Sequence, residues 1–134
     1  MKSAVLGVKP DLASHKLVDV ARRVVEPGGR LHLVAVLSIS TEDEDYSETT
    51  SRARTAVEEL SKSLVDSGFD VEISTPATTF SAGAELARIA KREKVDLLVI
   101  GLSKRSRVGK ALLGSDAQTA LLNAACPVLS VRFE

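Results

Sequence analysis

The chain has 134 residues, 44% of them apolar and 27% charged, enough for one domain with a single core. Eighteen basic residues offset eighteen acidic ones, and aromatic residues make up 3% with no Trp. That leaves neither a field to draw in nucleic acid nor a base-stacking surface. The one cysteine, Cys126, excludes an intrachain disulfide and a cysteine metal site. No apolar run reaches bilayer length and no leader is evident, so the expectation is a cytoplasmic domain spanning 1–134 without direct membrane contact.

Apolar runs alternate with helix-period segments along the chain. Ser3 to Val8 (SAVLGV) reads as a buried strand, and Ala13 to Glu26 as a helix with Leu17, Val20, Ala21 and Val24 inward. Gly28-Gly29 closes that unit, and Leu31 to Val36 (LHLVAV) is a second strand. An acidic stretch, SISTEDEDYSETT, reads as a solvated connection. A helix then runs to about Val65 with Ala53, Ala56, Val57, Leu60 and Leu64 on one stripe, and Ser67-Gly68 stops it. FDVEIS alternates, placing Phe69, Val71 and Ile73 on one face of a third strand. A third helix covers about Gly83 to Glu93. Val95 to Gly101 is a fully buried fourth strand, Ser115 to about Ala124 a fourth helix, and PVLSVRF a fifth strand. Strands separated by helices require crossovers, and right-handed crossovers give a parallel sheet with helices on both faces. Ligands of such α/β sheets lie beyond the carboxyl ends of the strands, where strand order reverses. The loops after strands one and four are therefore the places to look for function.

The second of those loops reads GLSKRSRVGKALLGSD, from Gly101 to Asp116. It is not a nucleotide-hydrolysing P-loop. Gly109-Lys110 supplies the middle of G-x-x-x-x-G-K-[ST], but Lys104 replaces the first glycine and Ala111 the metal-binding hydroxyl. A different spacing fits. Gly101, two residues, position 104, nine residues and then Gly114-Ser115 resembles the G-x2-G-x9-G-[ST] pattern of nucleotide-binding universal stress proteins. The likeness extends to AVLGVKPDLASHKLVDVARRV, to DLLVIG and to LLGSDAQTALLNAACPVLSVR, nearly the whole chain.

The resemblance implies a Rossmann-like fold of the adenine nucleotide alpha hydrolase type, with five parallel strands in the order 3-2-1-4-5 and helices on both faces. It implies a regulatory, non-enzymatic role in stress response and a site for ATP or AMP, with Mg accompanying a triphosphate. Gly101, Gly114 and Ser115 match the phosphate-binding pattern, and Val36 falls where the family's backbone meets adenine. Two positions depart. Lys9 replaces the acidic residue usual at the end of strand one, and Lys104 replaces the second glycine, where backbone approaches the ligand closely. Lys104, Arg105, Arg107 and Lys110 nevertheless place four cations within seven residues, a composition suited to polyphosphate. A helix starting at Ser115 would offer amides to an anion. Alternatively, Ser115-x-x-Gln118 satisfies those amides as a capping box. The other reading is accordingly a homodimeric interaction module of the same family that binds no nucleotide.

The remaining polar residues suggest structure more than chemistry. His15 and His32 have no acid or nucleophile at useful spacing, so no catalytic residue is expected. Asp96 marks a strand entrance, Cys126 reads as a small buried hydrophobe, and no grouping shows metal-ligand spacing. The last strand, Val128 to Phe133, is an apolar edge suited to pairing across a two-fold axis. The resemblance implies dimerisation through that strand.

Overall fold

The computed structural model describes residues 1–9, 14–38, 46–102 and 114–132. Strand β1 (Ser3–Gly7) lies in the middle of a five-stranded sheet, and Ala4, Val5 and Leu6 are buried on alternating faces. This is why its sequence is continuously apolar rather than alternating. Helix α1 (Ser14–Val24) leads to β2 (Arg30–Val34), and helix α2 (Tyr46–Asp66) to β4 (Asp70–Ser74), with a short β3 (Leu37–Ser38) in between. A second short strand, β5 (Ala77–Thr78), precedes helix α3 (Ala82–Glu93). Then come β6 (Leu97–Leu102), helix α4 (Ser115–Asn123) and β7 (Val128–Arg132).

All four pairings of the main sheet are parallel, in the order β4-β2-β1-β6-β7. Counted within that sheet, the order is third, second, first, fourth, fifth, as the resemblance implies. The difference in detail is the separate parallel pair β3–β5. The apolar run of the second strand continues to Val36, but pairing in the main sheet stops at Val34–Ser74. Beyond it Pro76 has no N–H to give a ladder, although its carbonyl accepts from Leu37 N at 2.8 Å. The chain thus leaves the sheet and pairs again a few residues on.

Two apolar layers cover the sheet. One joins Leu17, Val18, Ala21 and Val25 to Val57, Leu60 and Leu64 over Leu6, Leu31 and Leu33. The other joins Leu86, Ile89 and Ala90 of α3 and Ala117 and Ala120 of α4 to Val5, Val34, Leu98 and Ile100. In α1 the inward stripe differs from the expected one. Val18 and Val25 are buried, whereas Val24 is 39% exposed and Val20 only partly covered. A stripe through Leu17, Val18, Ala21 and Val25 follows i, i+1, i+4, i+8, which fits the helical period as well as the expected set does.

The ends of the helices are explicit. Ser81 caps α3, its hydroxyl accepting from Ala84 N at 3.3 Å, and Lys94 ends it with φ 54°. After α2, Gly68 takes φ +89°, a left-handed turn that favours glycine. Among the described residues no helix is long and apolar enough to cross a membrane.

Candidate functional site

The carboxyl ends of β1, β2 and β6 open into a cleft. Because β1 lies between β2 and β6, this is the point where strand order reverses and the crossovers diverge to opposite faces. Gly7, Val8 and Lys9 form its floor at the end of β1, and Val34 and Val36 form one side. Ile100 and Gly101 of β6 form the other, and Gly83 and Leu86 of α3 with Asp116 and Ala117 of α4 close it from above.

Lys9 is held there by backbone bonds. Its N–H donates to Ser14 Oγ at 2.9 Å, and the Ser14 hydroxyl in turn donates to the Lys9 carbonyl. Ser14 is completely buried at the start of α1. The turn after β1 is therefore clamped to the helix that follows it. Val8 N also donates to Val34 O at 2.9 Å, carrying the β1–β2 ladder up to the rim of the cleft.

The opposite wall depends on a close helix contact. A Cβ built on Gly83 would come within 1.9 Å of the Asp116 carbonyl oxygen, so α3 and α4 approach more closely than any side chain at 83 allows. The Ser81 hydroxyl reinforces this by donating to Asp116 Oδ1 at 3.1 Å. The cap of α3 and the first turn of α4 are in this way joined at the edge of the cleft.

The expected site residues divide into three groups. Lys9, Val36 and Gly101 line one cleft. Gly114 and Ser115 stand at the start of α4, just ahead of the lining residues Asp116 and Ala117. Lys104 and Arg105 lie outside the described residues, as do Arg107, Lys110, most of the acidic connection and Phe133. The capping-box alternative is corrected by the structure. Gly114, not Ser115, is the N-cap, and the Ser115 hydroxyl therefore does not play the part that a capping box gives it. Ser115 is already inside the helix, its carbonyl accepting from Thr119 Oγ1 at 2.8 Å.

Sequence reasoning missed Ser14, Gly83 and Leu86. A serine opening an apolar-periodic segment was the available signal for Ser14. The glycine early in SAGAELA was the signal for Gly83. Nothing local marks Leu86 as a cleft residue rather than core.

Two other side chains have structural surroundings. Lys2 N donates to Asp96 Oδ2 at 2.8 Å, and Asp96 N to Ser3 Oγ at 3.2 Å, so Asp96 ties the entrance of β6 to that of β1. Burial pushes the Cys126 thiol above its ordinary range, and the Asp96 charge adds to the rise. A thiol so placed is kept protonated, the reverse of activation.

The family model described as "Universal stress protein family" matches residues 1–132. The chain belongs to the universal stress protein family. A universal stress protein of Mycolicibacterium smegmatis is 42% identical over 76 residues, covering 57% of this chain and 58% of that protein. The chain thus spans less than two thirds of that curated relative. The universal stress protein of Archaeoglobus fulgidus has the same fold, with a TM-score of 0.75 at 22% identity over 97% of both chains. A structure of that protein in complex with dAMP gives 0.70 at 19% identity, over 97% of this chain and 96% of the other. An Arabidopsis thaliana family member with AMP bound gives 0.64 at 16% identity, over all of this chain and 93% of the other. Family membership accounts for the parallel sheet with helices on both faces, and it puts the cleft in a fold whose solved members include nucleotide complexes.

Proposed function

We propose that this chain is a regulatory module of stress response that binds ATP or AMP in the cleft above β1 and β6, acting by binding rather than turnover. The observation that carries the reading is the convergence of Lys9, Val36 and Gly101 on one cleft at the switch point of the sheet. The dAMP and AMP complexes of the Archaeoglobus and Arabidopsis relatives support it. In this reading adenine lies near Val36 and Lys9. The phosphates lie toward Gly101, Gly114 and Ser115, where α4 begins without a side-chain cap, with Lys104 and Arg105 supplying charge. Lys9 offers a cation where an acceptor is usual, which favours contact with ribose oxygens or phosphate over a hydrogen bond from a ribose hydroxyl to a carboxylate. A triphosphate brings magnesium with it. Among the described lining residues, Asp116 is the carboxylate able to face such an ion.

Calorimetry with AMP and with magnesium and ATP tests the reading, run on the wild type, Lys104→Gly and Gly114→Val. Among the described residues a Cβ at Gly114 meets nothing within 4 Å, so the valine is expected to leave the described fold in place. Binding weakened about tenfold or more in Gly114→Val, a loss of about 1.4 kcal/mol, is the expected result. Binding that appears only in Lys104→Gly would make Lys104 an obstruction. The reading fails if neither the wild type nor Lys104→Gly gives heat with either nucleotide.

The same module is proposed to pair with a second copy along β7. That strand is at the end of the sheet, bonded to β6 on one side, and Val128, Leu129 and Val131 are only partly covered. Val131→Asp should convert a dimer to a monomer in sedimentation experiments. A wild type that sediments as a monomer at micromolar concentration overturns the pairing.

A further inference from the structure

Away from the cleft, three acidic or imidazole side chains from three different elements meet at the β4 side of the sheet. His32 of β2 is 3% exposed. Its Nδ1 faces both oxygens of Glu93, the last residue of α3, at 2.7 and 2.9 Å. Glu72 of β4, directly opposite His32 in the parallel register, brings Oε2 to 4.0 Å from the same nitrogen. One ligand atom from each of the three falls within 4.8 Å of the others, and this is the one such group among the described residues. On the far side of the ring, Nε2 lies 2.8 Å from Ser74 Oγ.

We propose that His32, Glu72 and Glu93 hold a divalent transition-metal ion of the zinc class on this edge of the sheet. Nitrogen and carboxylate donors suit such an ion, and three protein ligands leave a fourth position to water or a partner group. At zinc–donor distances of about 2.0–2.2 Å, tetrahedral ligands stand about 3.4 Å apart. That spacing lies between the 2.7 and 4.0 Å separations found around Nδ1. Closing the site therefore needs only small carboxylate rotations, and Glu72, with its side chain 64% exposed, is free to make one.

The orientation of the ring fits as well. An ion on Nδ1 displaces the proton there and leaves the imidazole proton on Nε2, from which it donates to Ser74 Oγ. A hydroxyl fixing the distal nitrogen is the outer-shell arrangement that orients metal-bound histidines. Glu93 stands at the carboxyl end of α3, where the helix dipole favours a cation. Two arginines share the neighbourhood. Arg30 Nη2 donates to the Glu93 carbonyl at 3.3 Å, which leaves the carboxylate to other partners. Arg92 Nη2 reaches Glu93 Oε2 at 3.5 Å on a side chain that is 57% exposed, a long contact that an ion would displace.

The test titrates zinc chloride into the chelator-treated full chain by calorimetry near neutral pH, with cobalt(II) absorption reporting a low-symmetry site. The expected result is one ion per chain, with affinity reduced about tenfold or more in both Glu72→Gln and Glu93→Gln. Binding should be unchanged in His15→Ala and Cys126→Ser, which remove the other described soft ligands. Because the Glu72 side chain is exposed, Glu72→Gln stays folded and decides the matter even if Glu93→Gln does not. Thermal unfolding gives a second readout, since zinc should raise the midpoint of the wild type more than that of Glu72→Gln. No zinc uptake by the wild type overturns the proposal. So does uptake of equal strength in both glutamine variants, or uptake that disappears in Cys126→Ser.

Discussion

The two faces of the sheet are built differently. On the face of α1 and α2 the helices meet the strands through a continuous apolar layer, with Leu17, Leu31, Leu33, Leu64 and Val57 all fully buried. The face of α3 and α4 has a shorter apolar patch interrupted on two sides. Toward the carboxyl ends of the strands it opens into the cleft, so Leu86, Ile100 and Ala117 are at once core and lining. Toward β4 it gives way to His32, Glu72 and Ser74, side chains that pair with each other and with Glu93. One layer is thus committed to holding the fold, and the other gives up apolar contact where polar chemistry is placed. The consequence is that stability and ligand binding should respond to mutation on opposite sides of the same sheet.

The sharpest way to break this contrast is to wound each layer once. Leu17→Ala removes a fully buried side chain from the first layer and should cost about 2–5 kcal/mol in urea unfolding. Nucleotide affinity measured on the folded fraction should not move. Gly83→Ala adds one methyl group to the second layer, where it meets the backbone of Asp116 at a distance no real contact reaches. Neither backbone can yield independently, so α3 and α4 must separate at the rim of the cleft. The expected stability cost is smaller, about 1–3 kcal/mol, but nucleotide affinity should fall as well. Equal loss of affinity in both variants would show that the two layers do not divide these tasks.

How much of this could be read from the sequence follows the same division. Periodicity identified the five main strands and four helices because burial on two faces or along one stripe leaves a local signal, as in VDLLVIG and in Ala53, Val57, Leu60 and Leu64. The resemblance named Lys9, Val36 and Gly101 for a nucleotide site; the three line one cleft, and the ligand it takes is the proposal. Two stripes are equally periodic along α1, and periodicity does not choose between them; Val18, with Val25 just past the helix end, faces the core rather than Val20 and Val24. The β3–β5 pair was invisible, since two residues carry no period. The His32 cluster was invisible for a stronger reason. Its members stand 40 and 21 residues apart along the chain, from 32 to 72 and from 72 to 93. Only the register of β2 on β4 and the length of α3 bring them together. Ligand spacing can be read in one helix or hairpin, not across a parallel sheet whose crossovers intervene.

The smallest effect expected belongs to the outer surface of the second layer. In the first turn of α3, Glu85 accepts from Arg88 Nε at 3.1 Å and pairs again through the guanidinium Nη2. The hydrogen bonds from Arg88 hold the Glu85 carboxyl below its usual range, against the opposing effect of partial burial, with the Arg88 and Arg92 charges adding to the fall. A carboxyl whose acidity is strengthened by folding stabilises the folded state above the ordinary carboxylate range, near pH 4.3. That contribution is lost as pH drops through the lower folded value. Glu85→Gln should therefore be less stable than the wild type at neutral pH by less than Gly83→Ala is. The gap between variant and wild type should close on acidification below about pH 4. Urea midpoints recorded from neutral to acid pH give the answer. A gap that is constant across that range means that the pair acts through shape rather than charge. Because Arg88 is a solvent-facing partner, added salt should narrow the neutral-pH gap while leaving the cost of Gly83→Ala unchanged. Steric strain between two backbones does not depend on ionic strength, so salt is the variable that separates the rim of this layer from its interior.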